Sequence, residues 1–417
     1  MPKRKNNRKG KKSPMSPPPL ESSRTSVANS ETTSVVSDMS EWPYEDNTST
    51  EDILKDLFDG MAEKRSSART ASLKKLVKLL RAKVLPEDIA ATLETFTYSI
   101  NNCIRGRDSK ETVMACHALG LAAWNMGVEE DTSVLYDTFE KTLSVYANDH
   151  TKNGAVRRAA IRTLAVLCFI AIDDVETTLS LISIARSMFK SKDPAVLEGA
   201  SSALSLLCST LGTNQLATKL FPKLGPPLLK LLDSKCVEVK ENAGHTMGLL
   251  CESANLESDS DNLDEKQDRD VEVQMDRLAE KLGELQSVSS KSQHRKDKAR
   301  IRAGFREILR TAEDGSVPQE KVTVKSTTVH INGWAKTIQY GEARRWLGIG
   351  IQQHLKMNPL LSAIFNYELK DLSRDEERAT REDKIYQSKV NVRALKSKTR
   401  KDRARKTEAL LRNDEDD

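Results

Sequence analysis

The sequence predicts a mainly α-helical protein built around a solenoid of repeated helix pairs. Two observations lead to this fold class: a motif that recurs at intervals of 45, 40 and 43 residues, and apolar residues at helical spacing within each copy. No run of about eighteen apolar residues occurs, so no membrane-spanning segment is expected. The flanking segments predict a disordered N-terminus, a small α+β C-terminal module and a basic helical tail.

The repeat motif is clearest in three copies that align without gaps. They begin at Val156, Val196 and Val239 and read "VRRAAIRTLAVLCFIA", "VLEGASSALSLLCSTL" and "VKENAGHTMGLLCESA". Each copy has Ala four residues after its start, Leu or Met eight after, and Leu-Cys eleven and twelve after. A more divergent copy begins at Glu111. Because these offsets trace one face of a helix, residues 51–254 are predicted to form a HEAT/armadillo-like α-solenoid.

The segments between the copies predict the second helix of each pair. Apolar residues recur at helical spacing over 135–146 and over 175–189. The third such segment, 215–235, contains Pro222 and the Pro226-Pro227 pair, where a break or kink is expected.

Cysteine occupies one position of the repeat, at Cys168, Cys208 and Cys251. The alternatives are a buried packing residue and a metal ligand. Core packing is favoured because metal ligands need close spacing, whereas these residues lie on the apolar face of separate helices. The six cysteines form no CxxC pair, which is typical of an intracellular protein with reduced thiols.

The charged flanks of the solenoid are expected to be exposed rather than part of the core. Residues 1–50 start with seven basic groups in twelve positions and continue rich in Ser, Thr and Pro, which predicts a disordered arm. Residues 255–300 are interpreted as a charged linker, with eight acids and two bases over 257–272 and a polar helix around 273–286. The basic start has no apolar stretch after it, unlike a secretory signal.

A second module is predicted over residues 301–370. The stretch "KVTVKSTTVHINGWAKTIQY" alternates β-forming residues, and Asn332-Gly333 predicts a tight hairpin turn. A helix is expected over 341–355, ending before Pro359. Trp334 and Trp346 could be exposed stacking platforms, but in so small a module core packing is favoured.

Catalytic motifs are missing from the sequence. It contains no phosphate-binding GxxxxGK[ST] loop, no GxSxG elbow and no HExxH helix, and its carboxylates cluster in exposed charged runs. An enzyme is therefore the least favoured class, with a remote active site in the 301–370 module as the remaining alternative. No cofactor, metal ion or small-molecule substrate is expected.

The basic tail, residues 371–417, is the candidate functional segment. It contains "RALKSKTRKDRARK" at 393–406, with eight basic residues and one acid, in a stretch without Gly or Pro that favours a helix. Contacts to nucleic-acid phosphates are predicted for these eight residues. They are Arg393, Lys396, Lys398, Arg400, Lys401, Arg403, Arg405 and Lys406.

Several segments together resemble the interferon-related developmental regulator family. They are "EKRSSAR" (63–69), the repeat array, "FREILRTAEDG" (305–315), "WAKTIQY" (334–340) and "LGIGIQQHLKMNPLL" (347–361). The resemblance implies a non-enzymatic protein with a HEAT- or armadillo-like region and a distinct C-terminal domain. It also implies links to transcriptional co-regulation and to translationally inactive ribosomes, and it assigns no role to tail residues.

Three functions are consistent with these features. The favoured one is a regulator that binds ribosomes or RNA through the basic tail, with protein partners on the solenoid and a cytoplasmic location. The alternative is a nuclear co-regulator that acts as a protein-protein adaptor, with residues 3–12 as an import signal or simply as a solvated arm. In the third, the protein is an adaptor whose charges only provide solubility.

Overall fold

Helices make up most of the chain that the computed structural model describes, which comprises residues 49–128, 130–259, 265–287, 295–324 and 327–369. The first eleven helices are α1 Thr50–Met61, α2 Ser66–Ala82, α3 Pro86–Ala91, α4 Leu93–Ile104, α5 Ser109–Met126, α6 Glu130–Asn148, α7 Gly154–Ala171, α8 Val175–Ser187, α9 Pro194–Cys208, α10 Phe221–Leu231 and α11 Val237–Asp259. The remaining elements are α12 Glu265–Ser287, α13 Arg295–Asp314, β1 Gln319–Val324, β2 Thr327–Asn332, α14 Gly333–Leu347, α15 Ile351–Met357 and α16 Pro359–Phe365.

The repeat copies form helices α5, α7, α9 and α11, which confirms the predicted solenoid. Together with α2 before them and α13 after them, they form a row in which each helix packs against the next. The intervening helices α4, α6, α8, α10 and α12 pack on this row from another side. Within the row, each pair packs against the pairs before and after it, as in other helical repeat proteins.

Short polar residues set where the row helices begin. Asp108, Asn153 and Asp193 precede α5, α7 and α9, and each side chain accepts a hydrogen bond from a backbone N–H of the first turn. Such N-caps satisfy donors that the helix itself leaves unpaired. The "EKRSSAR" segment joins α2 to α5, because Arg69 binds the fully buried Glu111 with a 2.6 Å Nε–Oε1 contact.

The repeated cysteines lie in the core, as predicted. Cys168, Cys208 and Cys251 are at most 1% exposed, and burial raises the pKa of the Cys208 thiol to about 12. Ala200, four residues into its repeat copy, is also fully buried. These positions require small apolar groups where neighbouring helices approach closely.

The proline-containing segment changes helix type before its prolines. Residues Gln215–Leu220 form a π-helical turn, and α10 begins directly after it with Pro222 in its first turn. Pro226 and Pro227 lie within α10 rather than ending it. A proline lacks the N–H that an α-helix needs, and a π-turn is one way to accommodate the lost bond.

Within the charged linker predicted over 255–300, the polar helix expected around 273–286 is present as part of α12, but the interpretation of the rest as a spacer was wrong, because most of it is helical too. Residues 265–287 form α12, and residues 295–314 form α13, which packs on α11 and extends the solenoid by one more pair. Despite its acidic composition, α12 is an amphipathic helix: Val271, Leu278 and Leu282 on its apolar face are all at most 3% exposed. Apolar residues at helical spacing are sufficient to pack such a helix even when most of its residues are charged.

The hairpin turn predicted at Asn332-Gly333 was also wrong. Strands β1 and β2 pair antiparallel, with Asn332 opposite Gln319 at the open end of the hairpin. Asn332 ends β2 and Gly333 begins α14, so "WAKTIQY" is helical rather than extended. Gly333 does have the predicted positive φ, of 83°, but it uses it to turn from strand into helix.

The chain divides into two units, Met1–Tyr367 and Glu368–Asp417. Within the first unit, α14 contacts α2, α5, α9 and α11, so the C-terminal segment packs along the solenoid. In the part of the chain described, no helix is both long enough and apolar enough to cross a membrane. The predicted disordered arm, residues 1–48, and the tail from residue 370 lie outside the described residues.

Candidate functional site

The repeat places one side chain from each of four helices in a line that faces α14. Six residues after the start of each copy stand His117, Arg162, Ser202 and His245. We call these four residues the ladder, and the side of α5, α7, α9 and α11 that carries them the inner face. Every ladder residue contacts a side chain of α14.

Two tryptophans anchor the ends of α14 on the inner face. The Trp346 ring lies 5.0 Å from the His117 ring, and the Trp334 ring lies 5.6 Å from that of His245, measured between centroids. Since twelve residues separate them, the two rings are about 18 Å apart along the helix. Both side chains are at most 2% exposed, which confirms the prediction of core packing over exposed stacking platforms.

A glycine lies beneath each tryptophan, three residues after the ladder histidine. A Cβ atom added to Gly120 would lie 2.5 Å from the Trp346 ring, and one added to Gly248 would lie 2.4 Å from the Trp334 ring. No side-chain carbon tolerates such distances, so only glycine permits this approach. In each of the two copies, the sequence His-x-x-Gly therefore forms the surface on which one indole packs, with the histidine ring beside it and the glycine beneath it.

Between the tryptophans, α14 inserts a buried carboxylate among cations. Glu342 accepts hydrogen bonds from Ser202, Arg345 and Arg162, the last at 3.3 Å. Burial alone raises the pKa of Glu342, but the guanidinium groups of Arg345 and Arg162 outweigh it and hold that pKa below its usual value. Arg345 also donates to the Asn242 side chain at 2.7 Å. The inner face and α14 thus form a neutralised, hydrogen-bonded network.

The termini of α14 are bound by the solenoid as well. At its start, the Glu252 carboxylate accepts a hydrogen bond from the backbone N–H of Trp334 at 2.8 Å. Burial raises the pKa of this carboxyl group, and the hydrogen bond offsets part of that effect. At its end, the Arg81 side chain donates to the Trp346 carbonyl at 2.9 Å. An anion at the N-terminus and a cation at the C-terminus both stabilise the helix, because they interact favourably with its dipole.

The residues after α14 close the contact with the first repeats. Gly350 packs on the Arg81 carbonyl so tightly that an added Cβ would lie 1.6 Å from it. The fully buried His354 lies 3.2 Å from the Leu80 carbonyl oxygen, and Asn358 donates to the Trp124 carbonyl at 2.8 Å. The stretch "LGIGIQQHLKMNPLL" is therefore a docking segment.

Two histidines of this site, His117 and His354, stay neutral in the folded protein. Burial, together with the charges of Arg81 and Arg162, lowers the pKa of His117 to about 3, and burial lowers that of His354 to about 4. Neither group is poised to exchange a proton near neutral pH. No cluster of His, Cys, Asp or Glu suited to a metal ion occurs within the residues that the structure describes.

The predicted nucleic-acid-binding residues lie outside the described residues. This applies to Arg393, Lys396, Lys398, Arg400, Lys401, Arg403, Arg405 and Lys406 alike, so their role stays a prediction. The ladder was not recognised from the sequence. The signals that could have found it are the shared repeat position, the two His-x-x-Gly copies and the twelve-residue tryptophan spacing.

Comparisons with known proteins place this chain beside one family. The family model "Interferon-related developmental regulator (IFRD)" matches residues 21–313. Interferon-related developmental regulator 1 of Mus musculus is 29% identical over 330 residues, which cover 75% of this chain and 70% of the relative. Interferon-related developmental regulator 2 of the same species is 26% identical over 335 residues, covering 76% and 72%.

Among solved structures, a computationally designed armadillo repeat protein for modular peptide recognition is similar to this chain. Its TM-score is 0.41 at 16% identity, and the match covers 62% of this chain and 98% of that one. An engineered protein matches with a TM-score of 0.43 at 17% identity, covering 63% and 97%. At these scores, the assignment of a solenoid rests on the helix packing itself.

Proposed function

Because this chain belongs to the interferon-related developmental regulator family, we propose that it is a non-enzymatic regulatory protein that binds ribosomes or RNA through its basic C-terminal segment. The solenoid is the docking scaffold for protein partners. Translationally inactive ribosomes are the favoured target, as the family resemblance implies. The proposal includes no catalytic residue, cofactor or small-molecule substrate.

The observation that carries the proposal is the charge density of the tail. Residues 393–406 hold eight basic side chains and a single acid, Asp402. Basic side chains that neutralise phosphates release counterions, which makes binding favourable and dependent on salt. Such contacts go to the backbone of the nucleic acid and carry little base preference.

The occupied inner face supports placing this contact in the tail. The cation of the ladder, Arg162, already lies within ion-pair distance of Glu198 and Glu342. Both tryptophans that could stack on bases are packed against glycines and histidines. An RNA strand would have to displace α14 before it reached these groups, whereas the tail sequence supplies many cations in one short segment.

Sedimentation of ribosomes tests the proposal. In the test variant, the eight basic residues of 393–406 become Gln, which preserves helix propensity while removing charge. In the matched control, the seven basic residues of 3–12 become Gln instead. We expect the wild type and the control to co-sediment with ribosomes in an RNase-sensitive manner, and the tail variant to stay at the top of the gradient.

The same variants separate the proposal from the nuclear alternative. An import function of residues 3–12 predicts that the N-terminal variant leaves the nucleus while its ribosome association is unchanged. If the tail variant co-sediments with ribosomes like the wild type, the tail is a solubility device and the proposal fails.

A further inference from the structure

The helix α13 carries an arginine stripe on its exposed side. Arg302, Arg306 and Arg310 follow one another at intervals of four residues, and all three are exposed. Residues three or four apart lie above one another on a helix, so the three side chains share one face and span about 12 Å. In the sequence, the same spacing extends one further turn to Lys298.

The opposite side of α13 fixes the direction in which this stripe points. Ile301, Phe305 and Ile308 are at most 8% exposed, and Ile308 packs over Gly244 of α11. Thr311 accepts a hydrogen bond from the Trp334 indole at 2.9 Å, which ties α13 to α14 as well. The backbone that carries the stripe is therefore packed into the solenoid and needs no folding before it binds a ligand.

Within the part of the chain that the structure describes, the charges of the stripe have no ion-pair partner. Among the described residues, none of the three arginines forms an ion pair, and the Arg306 Nε bonds only to the Arg302 carbonyl, at 3.3 Å. The carboxylates nearest in the helix are Glu307, which is half-buried, and the exposed Glu313 and Asp314 at its end. The pKa of Asp314 is lowered chiefly by hydrogen bonds from Ser316, with a smaller effect from Arg310.

We infer that the arginine stripe of α13 is a second polyanion-binding site, which contacts the phosphate backbone of a nucleic acid. Arginine matches phosphate oxygens with two parallel N–H donors, and successive guanidinium groups about 6 Å apart suit consecutive phosphates of one strand. An acidic protein surface is the competing ligand, and binding to polyglutamate separates it from a nucleic acid. The choice of a nucleic acid as ligand rests on the proposed function, but the site is separate from the tail.

Binding of labelled oligouridine to the full chain at a series of salt concentrations tests this inference. The test variant is Arg302→Gln/Arg306→Gln/Arg310→Gln. The control is Lys219→Gln/Lys223→Gln/Lys230→Gln, which removes the same charge from exposed positions on the preceding part of the solenoid. We expect the slope of log affinity against log salt to become shallower by about 2 in the stripe variant, since each lost phosphate contact contributes roughly 0.7.

The outcomes separate the two binding sites. The lysine control should keep the wild-type slope, and a variant with the three arginines replaced by lysine should keep most of it, because the charges remain. If the stripe variant binds RNA like the lysine control while the tail variant does not, the stripe has no role and the proposed function stands. If neither the tail nor the stripe variant weakens binding, both ideas fail. Loss of binding to polyglutamate but not to RNA would identify the stripe as a protein-binding surface instead.

Discussion

Substituting Gly248 by alanine tests whether close packing of an indole on the inner face holds α14 in place. The added methyl carbon would lie 2.4, 2.6 and 2.8 Å from three atoms of the Trp334 ring. Two hydrogen bonds hold Trp334 in place and prevent the ring from moving away. The indole Nε1 donates to Thr311, and the backbone N–H of Trp334 donates to Glu252. Overpacking of this kind costs about 1–3 kcal/mol.

The net effect follows when helix propensity is included. Alanine is better than glycine in a helix by about 1 kcal/mol, which offsets part of the overpacking. Because the indole is pinned, the cost should fall in the upper part of its range and leave a net loss of about 1–2 kcal/mol. The matched control is Gly341→Ala in α14, where an added Cβ meets nothing within 4 Å. That substitution should stabilise the protein by about 1 kcal/mol.

Urea denaturation of both variants measures these changes in the free energy of unfolding. A double-mutant cycle with Trp334→Ala adds a second test, since the penalty of Gly248→Ala should disappear once the ring is removed. Equal stability of Gly248→Ala and Gly341→Ala would refute the reasoning. So would a penalty that persisted unchanged without the indole.

Four further changes follow from the same structure. Glu342→Gln should lower stability by about 1–3 kcal/mol in urea melts, because the half-buried guanidinium groups of Arg345 and Arg162 lose their shared buried carboxylate, although Arg162 keeps Glu198 within ion-pair distance. Ala200→Leu should cost about 1–3 kcal/mol in thermal melts, since the residue is fully buried in the solenoid. Gly333→Val should strain the positive φ that begins α14 and make that helix accessible to limited proteolysis while α5 to α11 stay protected. The free energy of unfolding should decrease as the pH falls below about 6.5, because His117 and His354 bind protons in the unfolded chain at this pH but stay neutral in the folded protein. In thermal melts, His354→Gln should lose less stability than the wild type over the same drop in pH.

Local periodicity explains why the solenoid could be predicted from the sequence. Each repeat copy is one amphipathic helix, so its buried residues recur at intervals of three or four residues in the sequence. The position of Cys208 in the core follows from the same alignment. The extension of the solenoid by α12 and α13 was not predicted, because most residues of these helices are charged or polar and only a narrow apolar stripe packs each of them.

The error at Asn332-Gly333 has a different cause. The dipeptide favours a tight hairpin turn, but a positive φ at glycine serves equally well where a strand turns into a helix. The following residues settle the choice: Trp334 and Ile338 are buried four residues apart, which is helical spacing, although β-forming residues stand between and around them. Tertiary contact with the inner face therefore overrides the local β-propensity.

The binding surface of α14 was beyond prediction because it combines residues far apart in the sequence. Glu342 lies between Arg162 and Ser202, which are separated from it by 180 and 140 residues. Only the stacking of the repeats brings these side chains into one line. The tail lies outside the described residues, so the assignment of its eight basic residues stays a prediction that the sequence alone supports.

The occupied inner face makes stability and nucleic-acid binding separable properties of this chain. Gly248 and Glu342 lie beneath or within the α14 contact, so their substitution should change the free energy of unfolding and leave the salt dependence of RNA binding as it is. The arginines of α13 should behave in the opposite way, because they are exposed and act through charge, and the same is expected of the basic residues of the tail. A protein that instead bound RNA through its ladder would bind more tightly once α14 was loosened. Tighter oligouridine binding by Gly248→Ala would therefore identify α14 as a competitor for the ligand rather than a fixed part of the fold.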